Sequence, residues 1–461
     1  MSRRDRIRAV VLAAGLGTRM KSSSPKVLHD LCGWPLLAHP LAALAGLGSA
    51  LEETIVVVGH RAGEVREACA KDRGKLGDLA RDVRWVVQDP PRGTGDAVRQ
   101  AAGALDGFEG VLLVLNGDSP LVETDDLERL LATLQGEGNS PLPLPAAGYG
   151  ICEANAAPAA PTPSSPPAGA LLTAELARPG KYGRVLRAAS GTLRRIVEAA
   201  EASPEELAVR EVNVGAYAFR WPRFARALEQ LTPSRKEEYY LTQAVELLVG
   251  SGESVLPVLS EDSSVALGVN SQAELAEANA TCQARIKSAL MAGGVSIPEP
   301  SQVYLERDVA VGADTVIYPF SVVRTGCRIG QGCRIGPFAH LRSGTVIEDG
   351  AEIGNFVEVK AARIGSGAKA KHLAYLGDVE VGERANIGAG TIVANYDGQE
   401  KHRTRIGAGA FIGSGTVLVA PVEVGERALT GAGAVVLAGK NVGPGEVVVG
   451  VPSRKVGMRR W

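Results

Sequence analysis

The sequence has no excess of charge of either sign, no paired cysteine motif and no apolar run long enough to span a bilayer. Fifty Lys and Arg stand against fifty-one Asp and Glu, a formal charge of −1, so no bulk electrostatic pull acts toward nucleic acid or an anionic membrane. The six cysteines, at positions 32, 69, 152, 282, 327 and 333, never form C-x-x-C, which speaks against a disulfide frame or a zinc site and for reduced, mostly buried thiols in a cytoplasmic protein. A secretory signal is not expected either. Arg3, Arg4, Arg6 and Arg8 do precede the apolar run Ala9 to Ala14, but Gly15 and Gly17 break the run, and Thr18 to Lys21 stand where a cleavage site would need small residues.

What is present changes period along the chain. Up to about residue 270, apolar runs such as Val10 to Ala13, Ile55 to Val58, Val83 to Val87 and Val111 to Leu115 alternate with longer mixed segments, the pattern of an α/β domain with a largely parallel sheet. Leu275, Ala278, Cys282, Ile286 and Ala289 then recur at helical spacing and predict a connecting helix. After it an aliphatic residue followed by glycine returns at Val311-Gly312, Ile329-Gly330, Ile335-Gly336, Ile353-Gly354, Val381-Gly382, Ile387-Gly388, Ile406-Gly407, Ile412-Gly413 and Val424-Gly425, many of the steps being six residues or multiples of six. A hexapeptide period means three short strands per coil of a parallel β-helix, one aliphatic residue per strand pointing inward. The expected domains are therefore 1–272, a linker helix at 273–293 and the repeat at 294–461. A Pro-, Ala- and Ser-rich stretch at 139–170 reads as a surface excursion without a core of its own.

The repeat is broken in two ways. Gly354 to Gly365 is eleven residues and Gly365 to Gly382 is seventeen, so one residue is lost in each of two successive intervals. Ala394 to Gly407 is thirteen where six is expected, so seven extra residues within "NYDGQEKHRTR" must leave the coil as a loop. Departures from a regular scaffold tend to be where ligands are met.

Near the amino terminus, "RAVVLAAGLGTRMKSSSPKVLH" places glycines after a strand. The third position of a dinucleotide loop is Met20 in place of glycine, and no Walker loop occurs. What remains is a glycine turn whose N–H groups can face an anion, followed by Arg19 and Lys26, two cations suited to a triphosphate or simply to solvent. "VVQDPPRGTGDAV" offers Gln88 and the bare backbone of Gly93 and Gly95 for a base edge. "LLVLNGDSPL" ends an apolar strand on Asp118, costly there unless paired or on a metal.

These stretches, with "KYGRV", "IVEAAE", "EVNVGAY", "EEYYLTQAV" and "LGVNS", follow the order and spacing of sugar-nucleotide pyrophosphorylases. With the hexapeptide half, the chain resembles the bacterial bifunctional UDP-N-acetylglucosamine pyrophosphorylase and glucosamine-1-phosphate N-acetyltransferase family. The resemblance implies a Rossmann-like nucleotidyltransferase (GT-A-like) domain joined to a left-handed parallel β-helix. In the first half, N-acetylglucosamine 1-phosphate would attack the α-phosphorus of UTP and pyrophosphate would leave. By the resemblance Leu12, Ala13, Ala14 and Gly15 wrap the nucleotide, Arg19 and Lys26 neutralise phosphate, Gln88, Gly93 and Thr94 read uracil, and Asn116, Gly117 and Asp118 line the site. Asp118 and Asn270 match Mg²⁺ ligands, and Gly183, Glu198 and Asn213 match acetamido-sugar contacts.

In the second half "KHLAYLGD" places His372 in the seventeen-residue interval, as the base that takes the proton of a sugar ammonium. The resemblance implies Arg342 and Lys360 on the sugar phosphate, Tyr375 and Asn386 orienting the sugar, and Ala389, Asn395, Tyr396, Ser414 and Ala432 along an acetyl-coenzyme A groove. Val449 occupies the position of a basic residue found in some relatives, leaving Arg454 or Lys455 nearby for the coenzyme's 3′-phosphate. It further implies a homotrimer, acetyl-coenzyme A as co-substrate, no nucleic-acid or membrane partner, and a product that supplies peptidoglycan and lipopolysaccharide precursors. Two other readings are a single-activity sugar-1-phosphate nucleotidyltransferase with a structural solenoid, and a catalytically silent homologue. His372 with Arg342 and Lys360 argues against the first. Arg19, Lys26, Asp118 and Asn270 together argue against the second.

Overall fold

A computed structural model describes residues 6–72, 74–136, 166–188, 191–234 and 237–458. The chain divides into two compact units, Met1–Asn279 and Ala280–Trp461, and the division falls inside the helix Gln272–Ala292. Most of the expected excursion at 139–170, and Cys152 within it, lies outside the described residues.

The first unit is built on a mixed sheet. Its strands run side by side in the order Val255–Leu259, Gly169–Glu175, Glu211–Arg220, Val111–Asn116, Ile7–Ala13, Leu51–Val58, Arg84–Val87. The last four are mutually parallel, as the alternation of strand and helix requires. Val255–Leu259 and Gly169–Glu175 are also parallel to each other, and of these seven strands Glu211–Arg220 alone runs antiparallel to both of its neighbours, so the sheet is largely parallel, as expected, with one reversed strand. The strand reaches its place beside Val111–Asn116 after the hairpin Arg184–Arg187 and Leu193–Val197, so no crossover helix dictates its direction. Both faces are covered. Ala9, Val11, Val56, Val58, Leu113 and Leu115 join one core, while Val10, Ile55, Val57, Leu112 and Val114 join another. That period of two with apolar residues on each side is why the strands read as unbroken hydrophobic runs.

The parallel strands all end at one edge, and the residues that follow them (Ala14, Gly59, Gln88 and Gly117) form its rim. Gly117 N–H donates to Leu12 O at 2.9 Å and Gln88 N–H to Val58 O at 2.8 Å, which hold the loops against the strand ends.

The second unit is a stack of three sheets of parallel strands two to four residues long, one of them ending on the antiparallel strand Arg454–Met458. Leu305, Val323, Leu341, Val359, Leu376, Val393, Leu418 and Val436 form one inward column, and equivalent columns of Ile and Val rise in the other two sheets. The register follows the broken repeat. Arg334 pairs Glu352 at a step of eighteen, Glu352 pairs Lys369 and Lys369 pairs Asn386 at seventeen, Asn386 pairs Phe411 at twenty-five, and Phe411 pairs Leu429 at eighteen again. Two coils are thus one residue short and one is seven long, as the glycine spacing predicts. The extra residues form a hairpin closed by the bridge between Tyr396 and Lys401, and Asp397 caps its turn by accepting from the Gln399 and Glu400 N–H groups at 2.8 Å each.

The five described cysteines are buried and form no disulfide with one another, and burial pushes the Cys69 and Cys327 thiols up to about 11. No helix among the described residues is long and apolar enough to cross a membrane.

Candidate functional site

The strand-end rim of the first unit encloses a cavity of about 410 Å³. Its wall includes Leu12, Ala13, Ala14, Gly15, Arg19, Lys26, Gln88, Gly93, Thr94, Asn116, Asp118 and Asn270, twelve of the residues expected to hold the nucleotide and its metal. The glycine turn is locked at its far end by Met20, which is buried with Leu31, Leu36, Val269 and Ala278. Gly17 has φ 63° and ψ 23°, a left-handed conformation, and a Cβ there would stand 2.8 Å from Lys26 Cβ. Only glycine lets the turn lie flat on the segment that carries Lys26. Arg19 is exposed at the mouth and makes no ion pair among the described residues.

Lys26 lies at the centre of the site. Its ammonium donates to Asp118 Oδ2 at 2.5 Å and to Asn270 Oδ1 at 3.1 Å. Val269 N–H donates to Asp118 O at 2.9 Å, so the two oxygen-bearing residues are tied together although they lie far apart in sequence. Among the described residues no group of three or more His, Cys, Asp or Glu could hold a metal, so the donor set here is one carboxylate and one amide oxygen. Two hard oxygens already converging on a cation suit Mg²⁺, which keeps waters and takes substrate phosphate for its other ligands. They would be too few for a zinc or structural calcium site.

Gly183, Glu198 and Asn213 do not line the cavity but form one cluster beside it. Asn213 N–H donates to Gly183 O at 2.9 Å, and a Cβ on Gly183 would stand 3.7 Å from Glu198 Oε2. Glu198 Oε1 accepts from Thr242 Oγ1 at 2.9 Å. Burial holds the Glu198 carboxyl above its ordinary value, and the nearby charges of Glu201 and Glu238 add to this. Glu238 and Tyr240 line the cavity and were given no role from sequence, although "EEYYLTQAV" contains them. Thr94 lines it too, with its hydroxyl accepting the Leu241 N–H at 3.1 Å.

In the second unit His372 ends the strand Lys369–His372 and stands one coil from Asn355. Its Nδ1 meets Asn355 Oδ1 at 2.8 Å. With that oxygen facing the ring, Nδ1 carries the proton and Nε2 keeps the lone pair, the tautomer a general base needs. Asn355 was not singled out from sequence. Arg342 and Lys360 follow the paired residues Leu341 and Val359, so the two cations occupy successive coils. Arg342 pairs with Glu358 at 3.0 Å. Lys401, from the extruded hairpin, is held below its ordinary value by the adjacent Lys360 ammonium, which places two like charges side by side.

A Cβ on Gly377 would lie 2.5 Å from Tyr375 Oη and 2.9 Å from Asn395 Nδ2, so these two side chains converge over that glycine. Asn395 is buried with its amide on Asp378 Oδ2, while Tyr396 projects outward. Asn386 lies on the sheet of His372, paired with Lys369. Ala389, Ser414 and Ala432 share one corner over three coils, since Gly415 N–H donates to Ala389 O and Gly433 N–H to Ser414 O. Below Ala432, Arg454 pairs with Val449 and makes no ion pair among the described residues, whereas Lys455 is tied to Glu446 at 2.5 Å.

Two transferase sites on two different scaffolds define a nucleotidyltransferase joined to a hexapeptide-repeat transferase. Comparison with known proteins agrees. Residues 9–154 match the MobA-like NTP transferase domain family, and residues 326–361 and 403–438 match the bacterial transferase hexapeptide family of six repeats. The chain is 39% identical over 449 residues to the bifunctional protein GlmU of Trichlorobacter lovleyi, covering 90% of this chain and 89% of that protein. It is 40% identical to those of Pelobacter propionicus, over 91% of this chain and 90% of the relative, and Symbiobacterium thermophilum, over 95% and 91%. The chain belongs to the family of the bifunctional protein GlmU.

Proposed function

We infer that the chain makes UDP-N-acetylglucosamine in two steps, acetyl transfer from acetyl-coenzyme A to glucosamine 1-phosphate and then uridylyl transfer from UTP to the acetylated sugar phosphate. The observation that carries this reading is the Lys26 ammonium held between Asp118 and Asn270 on the wall of a glycine-lined cavity, in a chain that also carries an oriented histidine on a hexapeptide coil.

In the uridylyl site the sugar phosphate oxygen attacks the α-phosphorus in line and pyrophosphate departs toward Arg19. Such transfer needs positioning and charge neutralisation more than covalent help. Asp118 and Asn270 would hold Mg²⁺, which supplies neutralisation of the triphosphate charge when bound. Lys26 donates to the same two oxygens and is placed to neutralise phosphate beside them. Gly183, Glu198 and Asn213 are the surface for the acetamido sugar.

In the acetyl site His372 Nε2 takes a proton from the sugar ammonium, the freed amine attacks the thioester carbonyl, the proton returns to the departing thiolate, and the second proton lost by the nitrogen as it becomes an amide passes to solvent. Arg342 and Lys360 grip the sugar phosphate, with Tyr375 and Asn386 orienting the ring. The small residues Ala389, Ser414 and Ala432 leave a groove for the pantetheine arm along the root of the hairpin, beside Asn395 and Tyr396. Arg454, free of a carboxylate partner, is assigned to the 3′-phosphate.

The acetyl site is assigned to a homotrimer. Phe320, Phe338 and Phe356 are exposed and stacked at centroid distances of 4.7 and 5.1 Å, and the ladder continues to exposed Leu373, next to His372. An apolar seam of this kind beside the base is what a second copy would cover. A cytoplasmic location follows from the substrates, and the product serves cell-wall and lipopolysaccharide synthesis. The test is direct. Purified protein should release pyrophosphate from UTP with N-acetylglucosamine 1-phosphate and thiol from acetyl-coenzyme A with glucosamine 1-phosphate. Absence of either overturns the corresponding half.

A further inference from the structure

We propose that Asp96 determines which base the nucleotide site accepts, by locking the side-chain amide of Gln88 in one of its two orientations. The proposal rests on the uridylyl reading above and names a residue that this reading leaves without a role.

Gln88 is 2% exposed and lines the cavity at the end of the strand Arg84–Val87. Its Nε2 donates to Gly93 O at 3.0 Å and to Asp96 Oδ2 at 2.8 Å. Both partners can only accept, so both hydrogens of the amide are used and the orientation is chemically settled. Turned over, the amide would set its oxygen against a carbonyl and a carboxylate and leave both acceptors, the buried Asp96 carboxylate among them, without its hydrogen. Oε1 is left with no partner among the described residues. A lone glutamine can serve either a ring N–H or a ring lone pair by turning its amide. Here it can only accept.

Asp96 is 7% exposed and is held in turn. It lies in the first turn of the helix Thr94–Ala101, where the helix dipole favours a negative charge, and its Oδ1 accepts from Gln100 Nε2 at 3.4 Å. Gly93, with φ 99° and a would-be Cβ 2.6 Å from Tyr239 O, brings bare backbone to the same wall, and its N–H has no partner among the described residues. A fixed acceptor beside a free N–H is complementary to the N3–H and carbonyl of uracil. It is mismatched to cytosine, which presents a ring lone pair and an amino group there. A site built around a hydrogen bond rejects the analogue that leaves its polar groups unpaired.

The experiment measures kcat/KM for UTP and for CTP with N-acetylglucosamine 1-phosphate, in the full chain and in Gln88→Ala, Asp96→Ala and Asp96→Asn. The unchanged chain should prefer UTP, and Gln88→Ala should lose most of that preference. Asp96→Ala should lower the UTP:CTP ratio by about ten-fold or more. Asp96→Asn, whose Oδ1 can still accept from Gln88, should retain most of it. The thermal unfolding transition of each variant, followed by circular dichroism, reports folding of the substituted unit, and thiol release by the other unit reports the amount of intact chain. If Asp96→Ala slows UTP and CTP equally, Asp96 only supports the helix and the proposal is overturned. If the unchanged chain turns over neither nucleotide, or both alike, the uridylyl reading itself fails, a result distinct from loss of the Asp96 role.

Discussion

Replacing Gly17 with alanine perturbs the first site without touching any group that contacts substrate through a side chain. Gly17 is in the left-handed region, which costs an alanine about 1–2 kcal/mol. The added Cβ would also stand 2.8 Å from Lys26 Cβ, where carbon atoms rest at about 3.5–4.0 Å, so the turn and the Lys26 segment must part by about 1 Å. That movement separates the glycine N–H groups and Arg19 from the ammonium that is proposed to act with them on one triphosphate. Misplacement of this size costs about 10²-fold in rate, equivalent to about 2.7 kcal/mol of transition-state stabilisation. Pyrophosphate release should therefore fall about 10²-fold in kcat/KM, while thiol release from acetyl-coenzyme A on the same preparation stays unchanged. Gly17→Asn separates the causes, because asparagine tolerates the left-handed region but keeps the Cβ overlap. It should be nearly as impaired. Activity of Gly17→Ala within about three-fold of the unchanged chain would refute the argument that contact with Lys26 sets the geometry.

Other perturbations reach the remaining parts of the account. Asp118→Asn should raise the Mg²⁺ concentration needed for half-maximal pyrophosphate release by about ten-fold or more, since the site then offers no charged oxygen; an unaltered Mg²⁺ titration would remove Asp118 as a ligand. Asn355→Ala frees the ring of His372 to turn and should lower acetyl transfer by about ten-fold or more, with pyrophosphate release unaffected. Glu198 has its pKa raised by burial, so the folded chain holds that proton to higher pH than the unfolded one, and stability falls as pH rises above the ordinary value of 4.5 and through the folded value. Glu198→Gln removes that loss. Its melting temperature should match the unchanged chain near about pH 4 and exceed it near about pH 8, and a constant offset at both would contradict the assignment.

The sequence made the scaffolds legible because each has a period. The coil lengths of seventeen and twenty-five residues follow from glycine spacing, and the positions of Gln88 and Asp118 just past strand ends follow from apolar runs that stop at Val87 and Leu115. Relations across turns and between coils were less accessible. Asn355 became the partner of His372 only because the coil between them is one residue short, so counting seventeen back from His372 would have found it. Asp96 was visible in "GTGDAV", but its bond to Gln88 depends on how the intervening loop folds back. Glu238 and Tyr240 come from a distant segment and join the cavity through the packing of the helix Leu241–Gly250, which no local pattern encodes. The antiparallel strand Glu211–Arg220 was likewise hidden, because a strand buried on both faces reads the same in either direction.

The central claim is that one chain carries two independent transferase sites, one centred on Lys26 and the other on His372. It is tested most directly by assaying pyrophosphate and thiol release on single preparations of Lys26→Ala and His372→Ala. Lys26→Ala should lose pyrophosphate release and keep thiol release, and His372→Ala should do the reverse. Loss of both activities in either variant, or retention of the targeted one, would contradict it.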